Sequence, residues 1–437
     1  MCGIFTVVSK KQNGLDISAC KRGLSKLSWR GPDYSTYFLF NKEVFLGQSI
    51  LSITGEINSD KCKHLQSKSG RFQLGYNGEI YNYKELHNDY LKDHYDFNNQ
   101  ATDSEILVNL FEKEKISDVI SMLDGMYSIV LLDKKNKELT ISRDIQGEKS
   151  LYIYEDSDII IISSEIRPII DFVPTVTIDR QSLRDYFHTR HLLQLEKTIY
   201  NNIIQIPPGN YRTLDLQSLN WSKSYQISMS NWISPEKMEK YLIRSEEEIL
   251  DELEAIMIKC IKQMIPNRSY ASVLSGGIDS SLISAFLLKY GNPEMLIAVN
   301  HLGKDSISND LKGFEKHLDK KINVIDVDLP KYSAEIERCQ KACAGPLFSH
   351  SFIGQSIQSS HVRSEGCRVL FGGEGADEIF GGYSAYLESR SDLNNFSNSP
   401  YTNFFETPIN FLNNNNDYIK KQLKVDFIGK EVNNFYL

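Results

Sequence analysis

The sequence predicts two folding units of different class in one chain: a strand-dominated α+β unit followed by an open α/β unit with a parallel sheet. Three observations predict this. Up to about residue 215, short alternating or apolar runs are separated by Gly, Asn, Asp and Pro, with few long helical stretches. From Ser245 onward the pattern becomes strand, loop, helix, strand, which is a β-α-β unit. Between the two, the rigid turn Pro207-Pro208-Gly209 and one more extended segment lead into Lys223 to Pro235, which reads as linker. The chain has 437 residues, enough for two or three domains whose cores need no disulfide or metal. We divide it into a first domain at 2–215, a linker at 216–240, a second domain at 241–390 and an Asn-rich tail at 391–437.

In the first unit, strands are expected at Gly3 to Val8, Thr36 to Leu39, Phe72 to Tyr76, Ser128 to Leu132, Glu138 to Ser142, Leu151 to Tyr154 and Ile159 to Ser163. Helices are expected at Ser104 to Glu114 and Ile116 to Met122. In the second unit, a charged amphipathic helix runs from Ser245 towards Met264, its Glu246-Glu247-Glu248 run suiting the positive end of the helix dipole. Strands follow at Tyr270 to Leu274, Leu296 to His301, Ile322 to Asp328 and Cys367 to Phe371. They are interleaved with helices at Ser280 to Tyr290, Ser333 to Ala342 and Ile353 to Arg363.

Composition narrows the function classes. Hydrophobic residues at 41% and charged residues at 24% are ordinary for globular proteins and exclude collagen-like or wholly disordered chains. A net charge of −8 disfavours a nonspecific grip on nucleic acid or an anionic membrane and directs attention to small-molecule substrates. The seven cysteines, at 2, 20, 62, 260, 339, 343 and 367, are scattered without a C-x-x-C pair, so reduced thiols are expected. Cys339 and Cys343 lie four apart on a predicted helix with no further Cys or His to complete a zinc site, and His188 and His191 read as a surface pair on a helix. The most apolar run, Ile159 to Ile162, is far too short to span a membrane, and the N-terminus has no basic region ahead of an apolar core. A cytoplasmic protein is expected.

Cys2 follows the initiator Met. Removal of Met1 places a thiol and a free α-amine on one residue, and an amine with an ordinary pKa of about 8 can activate its own nucleophile. Downstream come Arg30-Gly31-Pro32-Asp33, Tyr76-Asn77-Gly78-Glu79-Ile80-Tyr81-Asn82, Thr102-Asp103-Ser104-Glu105, the DGMYS near residue 124, the SRD run from Ser142 and the SSEI at 163. In this order the sequence resembles the class II glutamine amidotransferases. The resemblance implies an N-terminal-nucleophile hydrolase sandwich (αββα) in which Cys2 attacks the side-chain amide of glutamine. It implies an oxyanion hole of Asn77 and Gly78, and Glu79 with Asp103 around the glutamine α-amino group. Arg30, Pro32 and Asp33 are expected as structural support and Arg143 with Asp144 as a buried ion pair. The resemblance departs at Ile50, where the family has the arginine that binds the α-carboxylate. Losing such a charged contact weakens binding by about 1.5 to 3 kcal/mol unless a nearby cation such as Arg30 or Lys149 substitutes.

The second constellation is Ser275-Gly276-Gly277-Ile278-Asp279-Ser280-Ser281, between a predicted strand and helix. Glycines permit close backbone approach and a helix N-terminus directs N–H groups at an anion, so this reads as a pyrophosphate loop, with Asp279 placed to hold Mg²⁺. No G-K-[ST] follows, so it is not a Walker A loop. The run from Phe371 to Tyr383, with Gly372, Gly373, Glu374, Gly375, Asp377 and Glu378, crowds glycines against carboxylates after another predicted strand. Together the two runs resemble the asparagine synthetases. That resemblance implies an α/β adenine-nucleotide α-hydrolase-like (PP-loop) domain. ATP and pyrophosphate would be bound by Leu274, Ser275, Gly276, Gly277, Asp279, Ser280, Val299 and Gly373, with Mg²⁺ at Asp279 and Asp377 and Glu374 catalytic.

The implied reaction is a glutamine-dependent, ATP-driven amide ligation. Glutamine is hydrolysed at Cys2, a carboxylate (aspartate or a related acid) is adenylated with release of pyrophosphate, and ammonia displaces AMP. Two alternatives stay open: an adenylating ligase with an inactive glutaminase domain, and a catalytically incomplete partner or regulatory subunit. The resemblance also implies a dimer. It covers residues 1 to about 386. No E-x-R-x-PFLD segment follows, the tail lysines Lys420, Lys421, Lys424 and Lys430 receive no role, Gly372 stands where the family has serine, and Ala344-Gly345-Pro346 replaces an acid-rich stretch.

Overall fold

The computed structural model describes residues 1–11, 14–54, 65–95, 101–189, 191–227, 235–301, 306–347, 349 and 351–383. Cys62, the tail from 391 and its four lysines lie outside the described residues.

The N-terminal half is built from strands that alternate their burial between two different layers. A six-stranded antiparallel sheet has the order β2 (Tyr34–Phe40), β3 (Val44–Ile50), β1 (Gly3–Ser9), β8 (Ile159–Ser163), β7 (Tyr152–Glu155), β9 (Ile203–Gln205). A five-stranded antiparallel sheet has the order β11 (Tyr225–Gln226), β10 (Asn210–Asp215), β6 (Glu138–Arg143), β5 (Gly125–Asp133), β4 (Phe72–Ile80). Ile4 and Val8 of β1, Ile160 and Ile162 of β8, and Val130 and Leu132 of β5 meet between the sheets. Their neighbours Phe5, Val7 and Ile161 point the other way, against Cys20 and Leu24 of the helix Ile17–Ser25 and Ile169 of the helix Ile166–Phe172. On the far side, Leu74, Ile129 and Leu131 pack on Ile106, Leu110 and Val119 of the helices Asp103–Lys113 and Ile116–Met122. The result is the expected αββα sandwich. Because both sheets are covered on both faces, their central strands read as near-continuous apolar runs, as in Ile159 to Ile162.

The second unit is a four-stranded parallel sheet in the order β14 (Ile322–Val327), β13 (Met295–His301), β12 (Tyr270–Val273), β15 (Val369–Phe371). The helices Leu329–Cys343 and Ser351–Ser364 cover one face through Ile336, Ile353 and Ile357. The helices Glu246–Met264, Ile278–Tyr290 and Ser306–Leu318 cover the other through Ile261, Leu287 and Leu311. Ser245 caps Glu246–Met264 in a reciprocal capping box with Glu248, so the acidic run starts the helix as expected. From β12 the chain winds outward to β13 and β14 and then returns to the opposite side of β12 as β15. The strand order therefore reverses between β12 and β15, and a crevice opens at their carboxyl ends.

Two expectations are corrected. Arg143 directs its guanidinium to the carbonyls of Lys149 (3.1 Å), Ile206 (2.7 Å) and Gly147 (2.5 Å). Asp144 accepts instead from the backbone N–H groups of Tyr127 (3.2 Å), Glu148 (2.9 Å) and Lys149 (3.0 Å). The expected ion pair is thus two separate backbone anchors, which satisfy groups that an ion pair would have left orphaned. The histidine pair also does not share a helix, because Arg180–Thr189 ends before His191. Among the described residues no helix is long and apolar enough to cross a membrane.

Candidate functional sites in two clefts

A cleft of about 350 Å³ opens in the sandwich, lined by Cys2, Gly78, Glu79 and Asp103 together with Ile50, Tyr76 and Thr54. Cys2 precedes β1, and its Sγ lies 3.4 Å from the Leu51 N–H and 3.7 Å from the Leu51 carbonyl, on the loop that leaves β3. Arg30 fixes the nucleophile from behind: its Nε donates to the Cys2 carbonyl (2.8 Å) and its Nη1 pairs with Glu165 (2.7 Å), both side chains buried. Burial pushes the Cys2 thiol up, opposed by the Leu51 backbone contact. The α-amine of Met1, buried among Cys2, Arg30 and Lys149, is lowered to about 6.

Asn77 and Gly78 do not form a turn. They lie inside β4, which runs on to Ile80. Asn77 is fully buried just behind the lining, and neither its Oδ1 nor its Nδ2 has a partner. An unpaired buried amide is expensive, so it marks a place where a ligand completes the bonding. At Gly78 an added Cβ would collide with the Met126 carbonyl and the Tyr127 backbone, so the close approach of β4 to β5 requires glycine there.

Asp103 opens the helix Asp103–Lys113, which Thr102 caps by accepting from the Glu105 N–H. Its carboxylate accepts from Tyr76 Oη (2.7 Å), the Ile80 N–H (3.2 Å) and Thr54 Oγ1 (3.2 Å). Burial raises Asp103, while these hydrogen bonds pull it back. Glu79 is raised well above the usual carboxylate range by burial and then by the charge of Asp103. Two carboxyls that raise each other's affinity for protons are suited to receive a cation. The substitutes expected for the missing arginine at position 50 do not line the cleft, although the charge of Lys149 acts on Glu79. Arg30 is held by Glu165 and Cys2, and Lys149 is buried with its Nζ 3.6 Å from Met1 Sδ. Neither lines the cleft, and the one basic residue among its described lining is Lys68.

The second cleft, of about 780 Å³, occupies the crevice beyond β12 and β15. Ser275, Gly277, Asp279, Ser280, Gly373, Glu374 and Asp377 all line it. Leu274 is fully buried beneath it, Val299 packs into the core below, and Gly276 turns the loop at φ +91 without lining the cleft. Gly277 precedes Ile278–Tyr290, so unpaired N–H groups of the first helical turn point into the cleft. The serine hydroxyls bond within the loop: Ser275 Oγ lies 2.9 Å from Ser280 Oγ, and Ser281 Oγ donates to the Gly277 carbonyl (2.7 Å). The two glycine loops touch at Gly373, where an added Cβ would press on Asp279 Cβ and the Ser280 N–H, each 2.9 Å away. At Gly372 the carboxylate of Glu374 is folded over the space a side chain would take. Gln355, which sequence reasoning missed, holds Glu374 through an Nε2 to Oε1 bond of 3.2 Å.

The lining carries Asp279, Glu374, Asp377 and Glu378 and, among the described residues, no basic side chain. Among the described residues no three His, Cys, Asp or Glu converge on one point. A polyphosphate can enter so acidic a cleft only with its own cation, and phosphate oxygens would supply the ligands that two aspartates lack.

The two units are tied together. Arg368, at the start of β15, grips Asp33 through Nη1 to Oδ2 (2.5 Å) and Nη2 to Oδ1 (3.0 Å), and its Nη1 also reaches the Ser52 carbonyl (3.3 Å). Burial pushes Asp33 up, but Arg368 and the Ser52 N–H outweigh it and hold the carboxyl below its usual range. Tyr186 and Tyr200 donate to the carbonyls of Leu347 and Ala344, fastening the segment ahead of the helix Ser351–Ser364 to the sandwich.

Comparison with known proteins assigns a family model to each of the two units. The family model described as a glutamine amidotransferase domain matches residues 1–226, and the one described as asparagine synthase matches residues 252–433. The chain is similar to a probable glutamine-hydrolysing asparagine synthetase of Acanthamoeba polyphaga mimivirus, with 25% identity over 91% of this chain and 70% of that protein. It is 26% identical to the glutamine-hydrolysing asparagine synthetase of Bos taurus over 90% of this chain and 68% of that protein. It is also 26% identical to the amidase chry2 of Gibberella zeae, over 85% of this chain and 56% of that protein. The chain thus spans between 56% and 70% of the length of these relatives.

Proposed function

The chain belongs to the asparagine synthetase family, its first half being a glutamine amidotransferase domain, and from that premise we propose that it is a glutamine-dependent, ATP-driven amide ligase. The observation that carries this reading is the joining in one chain of the Cys2 cleft to an acidic, glycine-walled cleft at a sheet switch point.

Cys2, freed of Met1, attacks the glutamine carboxamide, and its own α-amine takes the thiol proton. An α-amine with an ordinary pKa near 8 is partly neutral at physiological pH and can serve as that base. Asn77 Nδ2 and the Gly78 N–H hold the developing oxyanion, for which the unpaired Asn77 amide is suited. Glu79 and Asp103 receive the α-ammonium, which relieves their mutual repulsion.

In the second cleft, Ser275, Gly276, Gly277, Ser280 and Gly373 form the cradle for pyrophosphate, with Leu274 and Val299 behind the adenosine. Asp279 and Asp377 would hold Mg²⁺ together with phosphate oxygens, and the ion when bound would neutralise the phosphates and the leaving pyrophosphate. Glu374, held by Gln355 and lining the same cleft, would act on the acyl-adenylate, with aspartate as the first candidate acid. We assign a cytoplasmic location and an association into dimers with the same reading. Incubation with Mg-ATP, aspartate and ammonium chloride tests it: aspartate-dependent AMP and pyrophosphate are expected, and their absence rules out autonomous asparagine synthesis.

Ile50 favours one second reading, a ligase that adenylates its acid but takes free ammonia. Glutamate release from glutamine distinguishes the two.

A further inference from the structure

We propose that Arg368 is a positioning residue that couples occupancy of the nucleotide cleft to the state of the Cys2 thiol. Two short chains of contacts meet at its guanidinium. On one side, Asp33 receives the bidentate grip of Arg368 and with the same Oδ2 accepts the Ser52 N–H (2.9 Å). The residue before Ser52 is Leu51, whose N–H and carbonyl are the groups against Cys2 Sγ. A shift of Arg368 therefore moves the peptide that touches the nucleophile.

On the other side, the Arg368 N–H donates to the Ser269 carbonyl (2.8 Å), and Val369–Phe371 pairs with Tyr270 to Ser272 of β12. That strand runs directly into Gly372 and Gly373, and at Gly373 the two loops approach so closely that an added Cβ would lie 2.9 Å from Asp279 Cβ and from the Ser280 nitrogen. Gly375 and Gly381, at φ +94 and +69, bracket the short helix Ala376–Phe380 and give this loop the freedom to close on pyrophosphate. The two states that a coupling requires are this loop open and closed, and β15 carries the difference to Arg368. A charged pair this sheltered, with Asp33 fixed by a second backbone bond, is stiff enough to transmit it.

The inference rests on the nucleotide reading of the second cleft but needs no turnover there. Its test is the rate of Cys2 alkylation by iodoacetamide, followed by peptide mass, with and without Mg-ATP. The parent chain is expected to change its rate at least threefold on adding Mg-ATP, Arg368→Met to lose that response, and Arg368→Lys to recover part of it. Asp33→Asn, whose amide oxygen still accepts the Ser52 N–H, is expected to behave as Arg368→Met while retaining the fold. A parent rate indifferent to Mg-ATP, or a response preserved in Arg368→Met and Asp33→Asn, overturns the proposal. AMP formation from ammonium stands apart from this readout, so a failure of the ligase reading and a failure of the coupling are told apart.

Discussion

In the Cys2 cleft the polar groups sit inside the sandwich, with Asn77 fully buried and Asp103 4% exposed, whereas the nucleotide cleft is lined by Asp279, Glu374, Asp377 and Glu378, none of them among the buried residues. The first cleft draws its groups from strands covered on both faces and holds Asp103 with three hydrogen bonds. The second draws its groups from glycine loops whose serine hydroxyls bond within their own loop, to one another and to the Gly277 carbonyl. One site is organised before any ligand arrives, and the other is arranged to be finished by nucleotide and cation. The difference follows from chemistry: an oxyanion is stabilised by dipoles already in place, while polyphosphate brings charge that no side chain among the described lining of this cleft balances.

The comparison is broken most severely at the nucleophile. Cys2→Ala is expected to lower glutamate release at least a thousandfold while leaving ammonium-dependent AMP formation within twofold of the parent. Parallel glutaminase and AMP assays check this, and a joint loss would mean that the two clefts are not separable units. Asn77→Ala comes next. Removing one oxyanion donor typically lowers kcat by about 10² to 10³, with the KM for glutamine little changed, because the unpaired amide is satisfied only as charge develops. An equal rise in KM would instead place Asn77 in ground-state binding.

How far the comparison was legible in the sequence differs between the clefts. Both nucleotide loops stood out because glycine and carboxylate crowding after a strand has few other uses, and seven of the residues read there line one crevice. In the sandwich, β3 escaped detection because Gly47 and Gln48 interrupt its apolar run. Gln48 is buried for a reason no local pattern displays: its amide bonds both backbone groups of Tyr76, Nε2 to the carbonyl at 2.7 Å and Oε1 from the N–H at 3.2 Å. The strand through Asn77 and Gly78 was cut short at Tyr76 because Asn-Gly is a strong turn signal, overridden here by pairing with β5. Arg368 and Asp33 are 335 positions apart, and only the packing of the two units brings them together.

Ile50→Arg sharpens the comparison in the other direction. Within the cleft's described lining the α-carboxylate of glutamine finds Lys68 as its one basic residue. A guanidinium at position 50 would add a charge-assisted contact of about 1.5 to 3 kcal/mol. The expected result is a ten- to hundredfold fall in the KM for glutamine with kcat nearly constant, read from initial rates of glutamate release. An unchanged KM would show that the cleft already binds the carboxylate by other groups.

The smallest effect concerns the pair Glu79 and Asp103. Both are raised in the folded chain, Glu79 well above its ordinary value. The folded state therefore binds more protons than the unfolded chain above the ordinary carboxylate range, and this pair's contribution to stability falls as pH rises. Glutamine places an ammonium between the two carboxylates and removes the reason for the shift. Its stabilising effect is thus expected to grow with pH, from little at pH 5 to a Tm gain of a few degrees at pH 7.5, roughly what 1 kcal/mol gives a domain of this size. Thermal denaturation of Cys2→Ala with and without glutamine measures it free of turnover. A gain independent of pH would mean that glutamine binds without engaging the pair, and the preorganisation of the first cleft would then reside in Asn77 and Gly78 alone.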